Sequence, residues 1–401
     1  MRLAIVRQHY HHDGPVERVT ERALEALLER NVAVSLYTRT WPRTRLQLIE
    51  PVICDPFFAG ALWRDWGFAR SACVLVRRSK PSLVESHEPM LCCDVYRAGN
   101  GVHAVWLDER LKRASAAERL SISCSPRNRY LLGIERRMFA SPWLRAVICN
   151  SKMVRDEIRS RFALPEAKLP VIYNPVDSAH FHPGLRADRA KLLATHGIAA
   201  ETTVYLAVAG DASRCEVGAA IDALAVLSPP AHLIVVGDDG GLSRHRDRAH
   251  ALGISERVTL AGQQADLRPY YGAADAFVLP SLYDPSPVSA FEAMACGIPI
   301  VTTTMSGAAE LVLEHKGGLI CPSADIAALA AQMSVLQDTT TRAHFAANAR
   351  RAILPLSPTA TTLQVVLLYR DLLAAAASTV GGRPTTFTRP ATVTRPQDPR
   401  G

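Results

Sequence analysis

The sequence predicts an α/β protein built from two doubly wound, Rossmann-like domains that face each other across a central cleft. Three observations point there. A chain of 401 residues exceeds what a single hydrophobic core usually organises. Short β-branched runs alternate with helical periods twice, once from Arg2 and again from Thr203. Between the two sets, "NPVDSAHFHPG" (Asn174 to Gly184) is rich in Pro and turn formers and reads as a hinge. The expected organisation is an N-terminal domain over 1–175, a C-terminal domain over 176–357, a helix over 358–377 and a Pro/Thr/Arg-rich disordered tail over 378–401.

The first domain opens with "RLAIV" (Arg2 to Val6) as a strand. A loop, "RQHYHHDGPVERV", leads into a helix over 17–30 with apolar residues at Val19, Ala23, Leu24, Leu27 and Leu28, and Val32 to Thr38 follows as a strand. Leu83 to Ser86, Asp94 to Arg97, Ala146 to Asn150 and Leu169 to Tyr173 are further strand candidates. In the second domain "TVYLAVAG", "HLIVVGD", "RVTLAG", "AFVLPS" and "IPIVTT" read as strands. The helices between them are "GAAIDALAVL", "RHRDRAHALGI", "LRPYYGAA" and "SAFEAMACG". Two such domains put ligands at the carboxyl ends of their strands.

Composition narrows the class. With 48% hydrophobic and 21% charged residues the chain is globular, not disordered. No run of eighteen apolar residues predicts a transmembrane helix, and "MRLAIVRQHYHH" lacks the apolar core of a signal peptide. Nine cysteines without a Cys-x-x-Cys pair read as free, mostly buried thiols in a reducing cytosol, with no zinc site. The net charge of +8 favours an anionic partner. Nucleic acid is not expected, because no recognition motif accompanies the charge.

The stretch "LPSLYDPSPVSAFEAMACGIPIV" holds the densest site chemistry. Asp284 follows a strand directly, Glu292 lies in the first turns of the next helix, and "PSPVS" turns the chain between them. A helix start of this kind offers backbone N–H groups and a positive dipole end to a phosphate. Carboxylates beside it accept hydrogen bonds from sugar and ribose hydroxyls. The plainer alternative is an N-cap Asp and a surface Glu. Of the histidines in the first loop, His9, His11 and His12 have no carboxylate triad to complete a metal site, and no metal is expected.

"EAMACGIPIVTTTMSGAAELV", together with "HLIVVGDD", "ERVTLAGQQADLRPYYGAADAFVLPSLYD" and "GGLICPSAD", resembles the donor-binding half of family 4 retaining glycosyltransferases. Asp284 and Glu292 stand where that family carries Glu-x7-Glu. The N-terminal half is similar to the lipopolysaccharide-core hexosyltransferases of the family through "DGPVERVTERAL", "YTRTW", "CDVYRAGNGVH" and "RYLLGIERRMFAS". The resemblance implies the GT-B fold, with the C-terminal helix crossing back to the N-terminal domain. It further implies transfer of a hexose from a nucleotide diphosphate sugar, UDP-linked above all, without a required cofactor. Carried over, Glu292 binds the donor ribose and Asp284 the hexose. The diphosphate falls to Val288 and Ser289, with Ser286, Gly14, Gly262 and Arg214 as further donor contacts. Asn100 and His103 fall near the reacting carbon.

Three residues depart from the pattern: Asp284 for Glu, Pro15 for Gly, and Cys215 or Glu216 for an expected Lys. They keep open a non-catalytic, glycosyltransferase-like partner protein, beside a GT-B enzyme with a soluble acceptor or epimerase activity. Against a soluble acceptor stands the segment from Ala104 to Ala140, which carries eight basic and four acidic residues. Trp106, Leu111, Tyr130, Leu131, Leu132, Met138 and Phe139 are interleaved with them, which suits an anionic membrane surface. The stripe Phe58, Leu62, Trp66, Ala69, Cys73 and Val76 reads instead as a buried helix face. The expected partners are therefore a nucleotide sugar, a lipid-linked glycan such as lipopolysaccharide core, and an anionic membrane. The expected location is the cytoplasmic face of that membrane.

Overall fold

The structure, a computed structural model, describes residues 2–9, 28–29, 32–41, 49–210, 214, 216–238 and 240–378. Gly14, Pro15, Cys215, nearly all of the helix expected over 17–30, and the tail beyond Ser378 lie outside them.

The N-terminal domain carries β1 (Arg2–Val6), β2 (Ala33–Thr38), β3 (Glu50–Ile53), β4 (Leu83–Ser86), β5 (Val95–Arg97) and β6 (Ala146–Ile148). Its helices are α1 (Gly60–Ser79), α2 (His103–Arg113), α3 (Ala116–Cys124), α4 (Pro126–Phe139) and α5 (Lys152–Phe162). The strands form one parallel sheet in the order β3-β2-β1-β4-β5-β6. The strand expected at Leu169 to Tyr173 shrinks to a single bridge between Cys149 and Val171. Strand β3 was not anticipated, because "EPVI" is short, polar at one end and exposed at an edge.

The C-terminal domain contains α6 (Arg189–Thr195), β7 (Thr203–Ala209), α7 (Val217–Ala225), β8 (Ala231–Gly237), α8 (Leu242–Ala251), β9 (Val258–Gly262), α9 (Arg268–Ala273), β10 (Ala276–Leu279), α10 (Val288–Ala295), β11 (Ile300–Thr303), α11 (Ala309–His315), β12 (Gly318–Cys321), α12 (Ile326–Val335) and α13 (Thr339–Ile353). Its parallel sheet runs β12-β11-β10-β7-β8-β9. The central strands are fully buried, as continuous apolar runs such as "AFVL" in β10 require. In each sheet the strand order reverses once, between β1 and β4 and between β7 and β10, which opens a crevice at the carboxyl ends.

Helix α14 (Pro358–Ser378) returns to the first domain, where Val365 and Tyr369 pack among Leu3, Ile5, Leu36 and Leu83. Within Thr339–Ala375 one window of 18 residues is apolar enough by composition to cross a membrane, although no uninterrupted apolar run of that length occurs. The stretch is two helices, α13 and α14, and the second is seated on the N-terminal sheet. At the amino end of the C-terminal sheet, Asp275 is buried and gathers the Arg186 guanidinium (2.8 Å), the Arg189 guanidinium (2.8 Å) and the Val204 amide (2.9 Å). This cluster fastens the start of β10 to β7 and to the segment that follows the hinge.

One cysteine expectation is corrected. Cys73 on α1 and Cys92 before β5 form a disulfide, their Cα atoms 5.7 Å apart. The partners come from different elements, so spacing along the chain gave no sign of the pair. Cysteine usage therefore no longer argues for a reducing compartment. Of the described free thiols, Cys54, Cys93, Cys149, Cys296 and Cys321 are buried and Cys124 is exposed.

Candidate active site in the interdomain cleft

The site grows from the β7/β10 reversal. The loop after β7 carries Arg214, and the loop after β10 carries Asp284; two backbone bonds, Leu282 N–H to Arg214 O (2.7 Å) and Glu216 N–H to Pro280 O (3.0 Å), tie the loops together. Asp284 is itself held in place. Its amide donates to Met305 O (2.9 Å), its carbonyl accepts from Gly307 (2.8 Å), and its side chain accepts from the Ser286 amide (3.3 Å). Asn174, from the hinge, donates to Ser286 Oγ at 3.1 Å.

Helix α10 starts immediately afterwards. Pro287 at its N-cap provides no side-chain hydrogen bond, whereas α12 and α13 are capped by Asp325 and Asp338. Val288 and Ser289 thus begin a helix whose first amides meet no capping side chain, the arrangement suited to an anion. One turn in, Glu292 is only 3% exposed, and Tyr271 from α9 donates to its Oε2 at 2.8 Å. Tyr271 also reaches Ser289 O at 3.2 Å, so one phenol orients the carboxylate against the helix start. The alternative of a surface Glu is excluded by this burial.

The structure thereby brings Asp284, Ser286, Val288, Ser289 and Glu292 into one loop-to-helix unit. Gly262 shares the carboxyl end of the sheet but ends edge strand β9, three strand spacings or about 14 Å from β10.

Across the cleft, the loop after β5 presents Asn100 and His103. With Arg214 they line a cavity of about 420 Å³, walled also by Glu88, Trp106 and Arg127. The Arg214 guanidinium approaches Asn100 O at 3.3 Å. His103 is the first residue of α2, and the Glu135 carboxylate accepts from the amides of His103 (2.8 Å) and Ala104 (3.3 Å). That helix start already holds an anion, the Glu135 carboxylate. Burial first, and then the charge of Arg127, lowers the His103 pKa to about 4, so the ring is neutral at physiological pH. Its Nε2 is buried without a hydrogen-bond partner, as is Trp106 Nε1 beside it.

Several residues that the sequence reading missed join the halves. Tyr283 is fully buried; its hydroxyl accepts from the Val102 amide (2.8 Å) and donates to Glu157 Oε2 on α5 (2.6 Å). Gly101 makes the approach possible, because a Cβ there would lie 2.1 Å from that hydroxyl. Glu310 on α11 accepts from the Lys152 (2.7 Å) and Met153 (3.0 Å) amides and thus caps α5 from the other domain. Arg113 pairs with Glu216, near the position expected to hold a Lys, and donates to Ser323 Oγ at 3.2 Å. No motif marks these residues, since each matters only through a partner more than fifty positions away. Among the described residues, no group of three or more His, Cys, Asp or Glu is placed to hold a metal ion.

Glu157 supplies a pH test. Burial first raises its pKa to about 7, with Glu109 and Glu135 adding to the rise and Tyr283 and Arg161 opposing it. The folded state then binds more protons than the unfolded one between about pH 4.5 and 7, and stability falls as pH rises through that window. Urea midpoints measured across it are expected to flatten in Glu157→Gln, which keeps an acceptor for Tyr283, and the variant is expected to exceed the wild type above pH 7. Parallel slopes would contradict this assignment.

The two anticipated surfaces are corrected. In the segment 104–140, Met138 and Phe139 are core, and Trp106, Tyr130 and Leu131 line the cavity, so its aromatic residues do not face outward. Its exposed residues are mostly small, polar or charged, and they include Arg119, Arg127, Arg129, Arg136 and Arg137. In α1 the expected core stripe splits. Ala69 and Val76 are buried, but Phe58, Leu62 and Trp66 are exposed.

Comparison with known proteins matches the description Glycosyltransferase Family 4 over residues 16–180 and Glycosyl transferases group 1 over residues 188–352. A glycogen synthase of Mycobacterium tuberculosis is 30% identical over 213 residues, covering 52% of this chain and 49% of its own. An uncharacterized glycosyltransferase of Methanocaldococcus jannaschii is 28% identical over 182 residues, covering 43% and 46%. The chain thus spans about half the length of these curated relatives. Among solved structures, WaaG, a glycosyltransferase involved in lipopolysaccharide biosynthesis, superposes with a TM-score of 0.78 at 18% identity, over 92% of this chain and 99% of its own. Anabaena HepE, solved with UDP-glucose, superposes with a TM-score of 0.68 at 20% identity, over 92% and 100%. At these identities the superpositions speak for the fold.

Proposed function

We propose that this chain, which matches Glycosyltransferase Family 4 over residues 16–180 and Glycosyl transferases group 1 over residues 188–352 and has a GT-B fold, is a retaining hexosyltransferase. It moves a hexose from a nucleotide diphosphate sugar, UDP-linked by preference, to a membrane-associated glycan such as lipopolysaccharide core, at the cytoplasmic face of the membrane. The observation that carries the reading is the uncapped start of α10 between two carboxylates at the sheet's reversal point. The diphosphate meets the α10 amides, with the charge of Arg214 nearby. Glu292 accepts from the ribose hydroxyls and Asp284 from the hexose.

The bond from the anomeric carbon to the β-phosphate oxygen breaks as an acceptor hydroxyl attacks from the same face. The leaving phosphate takes the hydroxyl proton, so no protein nucleophile is required. Neutral His103 offers a hydrogen bond in the cavity that receives the acceptor.

The experiment is donor hydrolysis and donor-dependent melting with UDP-, GDP- and ADP-hexoses. The wild type is expected to hydrolyse at least one donor slowly and to melt higher in its presence. Neither effect with any donor would sink the reading.

A further inference from the structure

The walls of the cavity come from separate elements, and a covalent bond joins two of them. Phe68 and Ala69 line it from α1, and His87, Glu88 and Pro89 line it from the loop between β4 and β5. One turn beyond Ala69, on the same helix face, Cys73 is bonded to Cys92 of that loop. Neither cysteine lines the cavity itself. The bond sets the distance between two walls without touching what lies between them.

The loop is anchored at its ends without the bond, where the His87 amide donates to Val6 O (2.9 Å) and the Asp94 amide to Val84 O (2.9 Å). The core beneath is also complete without it. Phe68, Ala69, Ala72, Val76, Met90 and Cys93 are buried in one cluster, and Cys73 and Cys92 pack against that cluster only half-buried. Opening the bond therefore frees α1 to shift against the loop while the sheet and the core keep their places.

The other thiols of this core stay out of the exchange. Cys54, Cys93 and Cys149 donate to the carbonyls of Val52 (3.6 Å), Met90 (3.4 Å) and Val147 (3.6 Å). Burial pushes the Cys54 thiol up to about 11 and those of Cys93 and Cys149 up to about 12. Almost no thiolate forms on them near neutral pH, so Cys93 does not attack the bond beside it. The pair answers to an external couple alone.

We propose that Cys73 and Cys92 form a redox-responsive site that clamps the α1 wall of the cavity to the β4–β5 loop and releases it on reduction by a dithiol. A thiolate of the dithiol attacks one sulfur of the pair, and the S–S bond breaks to a mixed disulfide. The second thiolate of the dithiol then displaces the protein sulfur. Two electrons and two protons pass to the protein, which gains two thiols, and the reductant leaves as its own disulfide. Next to a reducing cytosol such pairs are as a rule transient, unlike the permanent bonds of secreted domains. The transferase reading supplies that location and what enters the cavity; the response of the bond does not depend on it.

The test starts from the full chain oxidised with glutathione disulfide. Dithiothreitol without denaturant is expected to expose two further thiols to iodoacetamide, mapped to Cys73 and Cys92. The bond closes a sequence separation of 19, and its loss should lower the melting temperature by about 6–12 °C. Amide hydrogen exchange should quicken about tenfold over residues 60–72 and 88–92 and stay the same in the C-terminal domain. Oxidised dithiothreitol should reverse all three changes. Cys73→Ser should behave as the reduced chain from the outset, and Cys93→Ser should respond as the wild type does.

A pair that dithiothreitol opens only in urea is a permanent cross-link and overturns the proposal. Nine alkylated thiols in urea after the oxidation, one for every cysteine, overturn it as well. Equal exchange at both walls in the two states would show that the bond holds nothing of the cavity. A pair that opens and recloses in a chain that binds no donor leaves the redox site standing and removes the transferase reading.

Discussion

Glu292→Gln is expected to lower kcat/KM for donor hydrolysis by about a hundredfold. Two charge-assisted hydrogen bonds to the ribose contribute about 1.5 kcal/mol each, and every 1.4 kcal/mol is tenfold. The substitution removes the charge but keeps an oxygen for Tyr271, whose hydroxyl holds the native carboxylate at 2.8 Å. The unliganded melting temperature should therefore move little, while the rise produced by the donor disappears. A variant that melts like the wild type with and without donor, and turns over at the native rate, would remove Glu292 from the site. A large drop in unliganded stability would instead make it a structural carboxylate.

The second large effect lies at the amino ends of the strands, opposite the end that faces the cleft. Asp275→Ala leaves Arg189, 15% exposed, without the carboxylate 2.8 Å away, and strips the Val204 amide of its acceptor. Removing one partner of a buried ion pair costs about 3 kcal/mol or more. In a domain of this size, about 6–12 °C of melting temperature corresponds to that loss. Calorimetry on Asp275→Ala checks it; a fall of a degree or two would mean that water reaches Arg189 and replaces the carboxylate.

The C-terminal domain was readable in the sequence because each of its signals is local. Its central strands are continuous apolar runs, and Asp284 and Glu292 lie on one unbroken loop-to-helix segment, whereas α6, β12 and the helices α11 to α13 were not read from the sequence. The N-terminal domain was less readable. Its edge strand β3 is polar, its last expected strand pairs through one residue, and Trp106 and Trp66 exchange the surroundings that their patterns suggested. Helical periodicity shows that a face is apolar but not what covers it. On α1 the core covers the half from Gly67 onward, while the half before it overhangs.

The same limit explains why Tyr283, Glu157 and Glu310 escaped notice. A buried carboxylate that binds another domain's helix start has no spacing of its own. Gly307 belongs with them: a Cβ there would lie 1.9 Å from Pro285 O and 3.0 Å from Ser151 Cβ. In the sequence it is one small residue among several.

Tyr283 has a consequence for the register of the cleft. It is the residue before Asp284, and its hydroxyl supports the amide of Val102, the residue before His103. If the domains part by more than the length of a hydrogen bond, Val102 and Glu157 lose their partner together. The loop with Asn100 and His103 is then free to drift from its register with the donor side. One hydroxyl thus joins the residue before Asp284 to the residue before His103, so the two walls of the cleft keep or lose their register together.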